Sequence, residues 1–123
     1  MTIVLGVVAG GVLGAPSRYA LDQWVNSRTK GFFPWGTFLI NATGAFLLGL
    51  ISGLALYHGL GHLPVAVVGT GFCGAYTTFS TFSYETVRLI EEGTVEAAVR
   101  NMAGSLTLGL AAAAAGIALA ALI

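Results

Sequence analysis

Between Gly74 and Glu85 the chain reads GAYTTFSTFSYE, which sets Thr78, Ser80 and Thr81 around Phe79 and Phe82 and ends on a carboxylate. Serine and threonine hydroxyls are rotatable O–H donors, and an aromatic ring has a positive edge around its negative face. Donors and ring edges of this kind can solvate a small dehydrated anion with dipoles alone. Conduction needs such weak attraction, because a fixed buried cation would hold the ion too firmly to release it. Phe79 and Phe82 lie three residues apart and share a helical face, with Glu85 extending the row. The same spacing also suits a pair packed against lipid or core. Asn41, in a separate apolar run, adds a side-chain NH2 group. Arg18 is costly inside a membrane, so it either faces an aqueous vestibule and concentrates anions there, or snorkels, or pairs with Asp22 one turn on. Glu85 opposes an anion path unless it is paired, protonated through desolvation, or placed at the mouth.

These residues are carried by a chain that is built for lipid. Of 123 residues, 56% are hydrophobic and 8% charged, against about a quarter charged in soluble domains. Trp35 to Tyr57, Leu63 to Phe82 and Asn101 to Ile123 contain no Lys, Arg, Asp or Glu. Each is long enough for a bilayer core that needs about 20 residues. Thr2 to Val25 is a fourth run, interrupted by Pro16, Arg18 and Asp22. Its flanks lack the basic start and the small-residue cleavage site of a signal peptide. The expected architecture is all-α and integral to the membrane, one domain of four helices over about 2–25, 35–57, 63–90 and 98–122. Gly6, Gly10 and Gly14 form overlapping GxxxG pairs, and glycines on the other helices permit a tightly packed bundle.

The third helix is the one whose composition conflicts with its setting. Gly71 to Phe82 gathers poor helix formers and hydroxyls at a depth where every backbone group needs a partner. A break there is tolerated if it is buried in protein or lines a wet path. A continuous helix whose hydroxyls bond back to the preceding turn is the alternative. Cys73 is alone, and reads as a small packing residue. His58 and His62 stand four apart without a third metal ligand. No Ser-His-acid set, phosphate loop or zinc motif appears, so no enzyme is expected, and zero formal charge argues against nucleic acid as a partner.

Three stretches in order, GGVLGAPSRY (10–19), GTFLINATGAFLLG (36–49) and GFCGAYTTFSTFS (71–83), resemble the Fluc (CrcB) family of small bacterial fluoride channels. The resemblance covers nearly the whole chain. It implies an antiparallel dimer of four-helix subunits in the bacterial plasma membrane, with helix 3 broken in mid-membrane and two fluoride pores. It assigns Asn41, Phe79 and Phe82 to the pore, with Ser80, Thr81 and Ser105 as hydroxyls along the route, Arg18 to the vestibule, and Thr78 and Glu85 to a polar path of undefined role. It further implies a structural sodium ion on the dyad, held by the main-chain oxygens of Gly74 and Thr77. Carbonyls freed by a helix break suit a hard cation, and a cation on a two-fold axis takes the same ligands from both subunits.

Two features depart from the simplest version of that picture. Arg18, Arg28, Lys30, Arg88 and Arg100 all fall toward one side, which the positive-inside rule places in the cytoplasm with both termini outside. A chain that inserts both ways should be nearly balanced, so the bias puts the homodimer in doubt, and the partner is either a second copy of this chain or a homologous sister chain of opposite orientation. Asn101 stands where an aromatic residue is frequent in the family. The rival transporter reading is a small multidrug exporter, which couples to protons through a carboxylate inside helix 1, where this chain carries Arg18. A third reading is a non-conducting assembly subunit, in which Asn41, Phe79 and Phe82 could be replaced without any change in ion flux.

Overall fold

A computed structural model describes residues 1–123, and all of its regular structure is helical. Helix α1 runs Thr2–Asn26 and α2 runs Trp35–His58. A short α3, His62–Val65, leads into a π-helical segment, Ala66–Cys73, and a single turn, α4, Gly74–Tyr76. After Thr77, Thr78 and Phe79 come α5, Ser80–Glu91, and α6, Val95–Leu122.

Helices α1, α2 and α6 are long and apolar enough to cross a membrane. Only 20 of 123 residues are buried, while Leu13, Leu106, Leu110 and Leu122 all face outward. Outward apolar surface on this scale needs lipid or protein to cover it.

The helices approach closely where side chains are absent. Along α1, a Cβ on Gly10 would come within 2.8 Å of the backbone nitrogen of Phe72 in the π segment. Between α2 and α6, a Cβ on Gly116 would lie 2.6 Å from the nitrogen of Leu50. Small residues therefore let whole backbones touch in two pairs, α1 with the π segment and α2 with α6.

The expected third helix, 63–90, is several pieces. Thr77 adopts φ −81° and ψ 161°, an extended conformation that ends the helical path, and Phe79 precedes the next helix at φ −91° and ψ −36°. The last helix begins at Val95, three residues before the expected 98. Gly93, at φ +83°, turns the chain sharply, and the Thr94 hydroxyl donates to the Leu89 carbonyl at 2.8 Å. That turn shortens the connection the sequence left open.

Candidate functional site

The interruption at residues 77–79 is held by a side chain from α2. Thr78 N–H donates to Asn41 Oδ1 at 2.9 Å, and Asn41 Nδ2 donates to the Thr78 carbonyl at 3.0 Å. One amide thus satisfies both backbone groups of Thr78, as a neighbouring strand would. In a continuous helix Thr78 N–H would serve the Gly74 carbonyl, so Asn41 diverts it. The second Nδ2 hydrogen of Asn41 remains available. Sequence reasoning found Asn41 as a donor but missed its role as a clamp, since its partner is backbone 37 positions away.

Around the clamp lie open clefts rather than one cavity. Asn41, Phe79, Phe82 and Ser105 line a furrow of about 260 Å³ together with Met102 and Leu106. The two rings have centroids 5.9 Å apart at 43°, and Phe79 is 78% exposed, so its ring stands out from the subunit. A second cleft, about 400 Å³, brings Asn41, Gly74, Thr77, Thr78 and Phe79 together with Gly44 and Cys73. A third, about 190 Å³, holds Arg18, Tyr19, Asp22, Thr37, Thr78 and Thr81. Asn41 and Thr78 are shared walls between neighbouring clefts.

The hydroxyls of the run bond to one another. Thr78 Oγ1 donates to Thr81 Oγ1 at 3.2 Å, accepts from Thr81 N–H at 3.2 Å, and lies 3.3 Å from Ser80 Oγ. Ser80 lines none of the three clefts, and meets the group only through this contact. Arg18 forms no ion pair with Asp22. Its Nη1 instead donates to the Thr77 carbonyl at 3.5 Å, a long contact, while Asp22 accepts from Asn26 Nδ2 at 3.3 Å. The guanidinium therefore faces the extended residue at the interruption.

Glu85 departs from the expected row. Each step of three residues on a helix falls about 60° short of a full turn, so the line through Phe79 and Phe82 has rotated away by position 85. Glu85 opens on a different cleft, about 250 Å³, with Asn26, Thr29 and Arg88. Its Oε1 is buried without a hydrogen-bond partner, and Thr37, Asp22 and Arg88 are the polar groups that act on it. Arg88 itself pairs with Glu92 at 3.2 Å.

Two hydrogen bonds were not foreseen from the sequence. Thr43 Oγ1 and the Tyr76 hydroxyl are 2.8 Å apart and brace the turn before Thr77 against α2. Asn101, 1% exposed, donates from Nδ2 to Thr86 Oγ1 at 2.9 Å, which ties α6 to α5. A polar residue in an apolar helix was the only signal for either.

The family described as CrcB-like protein, Camphor Resistance (CrcB), matches residues 5–117. This chain belongs to the CrcB family. A protein of Frankia casuarinae named fluoride-specific ion channel FluC 1 is 49% identical over 122 residues, covering 93% of this chain and 92% of its own. One of Streptomyces avermitilis with the same name is 49% identical, covering 90% of each. A Moorella thermoacetica protein, fluoride-specific ion channel FluC 2, is 48% identical over 86% of each chain. Together with its three long apolar helices, CrcB membership makes the chain a multi-pass membrane protein. The CrcB stretch 5–117 includes Arg18, Asn41, the interruption, both phenylalanines and Ser105.

Proposed function

We propose that this chain is a fluoride-selective channel of the bacterial inner membrane that lets cytoplasmic fluoride leave down its electrochemical gradient. The carrying observation is that Asn41, Phe79, Phe82 and Ser105 line one furrow, in a chain whose relatives are named fluoride-specific ion channels. A furrow with ring edges, an amide N–H and a hydroxyl replaces the water of a small anion by dipoles, and has no fixed cation to trap it. Arg18, among Asp22, Thr37, Thr78 and Thr81, belongs to the vestibule that feeds it. Thr78, Ser80 and Thr81 act as a mutually bonded hydroxyl set beside the entrance. Chemistry on a covalent substrate has no part in this reading, so the chain is not an enzyme.

The working unit is an antiparallel dimer of four-crossing subunits with two pores, in which α3 to α5 with the π segment make the third crossing and residues 77–79 break it in mid-membrane. Support comes from the furrow being open on its outer side and from the exposure of Phe79, which together call for a second wall. The five basic residues on one side make a sister chain of opposite orientation the fitting partner. A sodium ion on the dyad would be held by the main-chain oxygens of Gly74 and Thr77. Those donors fit it: the Gly74 carbonyl has lost Thr78 N–H to Asn41, and a Cβ at Gly74 would meet nothing within 4 Å. The Thr77 carbonyl keeps a lone pair beyond its long contact with Arg18. The ion would supply positive charge that joins the interrupted segments of two subunits.

Growth measures this function directly. In a bacterium stripped of its own fluoride exporters, expression of this chain, alone or with a sister chain, should restore growth on fluoride in acidic medium. Growth no better than with an empty vector in both arrangements would reject the reading.

A further inference from the structure

Four hydroxyls of this chain share one arrangement. Ser17, Thr43, Thr77 and Thr86 donate to the carbonyl four residues earlier, on Leu13, Leu39, Cys73 and Phe82, at 2.7, 2.8, 2.8 and 2.8 Å. Such a short bond takes up the only proton the hydroxyl has. Ser105 is placed differently. Its Oγ donates at 3.4 Å to the side-chain oxygen of Asn101, again four residues earlier.

The direction of this bond is fixed by its neighbours. Thr86 spends its proton on the Phe82 carbonyl, so toward Asn101 it can only accept. Asn101 must therefore turn its NH2 to Thr86, at 2.9 Å, and its Oδ1 to Ser105. Asn101 is buried and absent from the furrow lining, whereas Ser105 lines the furrow with Phe82. A bond of 3.4 Å is well beyond the usual O–H···O length of about 2.7–2.8 Å and is given up at little cost.

We infer that Asn101 is a positioning residue for the permeating anion: it holds the Ser105 proton in a weak bond, ready for the ion, and keeps it out of a short bond to the helix backbone. The inference rests on the fluoride-channel reading and deepens it. When the anion arrives, Ser105 exchanges a long contact for a charge-assisted one, while the Asn101 to Thr86 to Phe82 sequence stays in place behind it. Without the amide oxygen, the Ser105 hydroxyl is free to turn to the carbonyl of residue 101, as those of Ser17, Thr43 and Thr86 turn to theirs, and the furrow loses a donor.

A double-mutant cycle on fluoride efflux from liposomes tests this, with Asn101→Leu, Ser105→Ala and the pair. One hydrogen bond to a charged group corresponds to about a tenfold effect or more. Asn101→Leu should lower flux about as much as Ser105→Ala, and the double variant should fall no further than Ser105→Ala alone. A purely structural Asn101 gives effects that multiply, and that result overturns the inference. Should Asn101→Leu fail to yield a folded protein, Asn101→Ala in the same cycle gives the decision by the same criterion. Absence of fluoride flux from the unaltered chain would reject the function itself, and this inference with it. Flux in the unaltered chain with a multiplying cycle rejects the inference alone.

Discussion

The Asn41 amide does two jobs with one group. It closes both backbone hydrogen bonds of Thr78 at 2.9 and 3.0 Å, and it has one hydrogen left over where Asn41 lines the furrow. Replacing it by alanine leaves a backbone N–H and C=O of Thr78 without their partners, at about 1–3 kcal/mol each where water does not reach them. Asn41→Ala should therefore melt well below the unaltered protein in detergent, followed by intrinsic fluorescence. An unchanged melting curve would show that the clamp carries no energy. At this scale the sequence was partly legible: hydroxyls, rings and an amide announce an anion's donors by type alone. What it hid were partners fixed by folding, such as the Thr77 carbonyl opposite Arg18 and the Thr86 hydroxyl opposite Asn101. Glu85 shows the limit of spacing arguments, because a row that holds over one interval turns away over two.

At the scale of elements, composition marked the weak place in the third apolar run, though not its form. Glycine and hydroxyl residues foretold that Gly71 to Phe82 would strain a helix, but a π segment over Ala66–Cys73 followed by an extended Thr77 depends on α1 and α2 pressing on either side. The close backbone contact at Gly10 fixes the π segment from one side, and Asn41 takes hold of Thr78 from the other. If the carbonyls of Gly74 and Thr77 hold sodium in the assembled protein, that ion binds only the native state and must stabilise it. Purified protein should melt at a higher temperature in sodium than in a large organic cation at equal ionic strength, with the gain rising with sodium concentration. Identical curves in the two salts would remove sodium from the account.

Seen whole, the chain spreads apolar surface over helices that bury few residues, and leaves a mainly apolar furrow, edged by the Asn41 amide and the Ser105 hydroxyl, with an outstanding ring on one flank. Lipid can cover the first, but in the second it offers no partner to the spare Nδ2 hydrogen of Asn41. The membrane habit followed from long uncharged runs, which one chain displays by itself. In the proposed dimer, the partner, its orientation and the second wall of the pore are properties of two chains, and a single sequence bears on them only through the one-sided placement of its basic residues. The most direct measurement is fluoride efflux from liposomes holding the purified protein, alone and with a sister chain, followed by a fluoride electrode. The expected result is rapid fluoride efflux without chloride efflux, reduced severely by Phe82→Ile or Asn41→Asp. Fluoride release no faster than from protein-free vesicles in both arrangements would contradict the account.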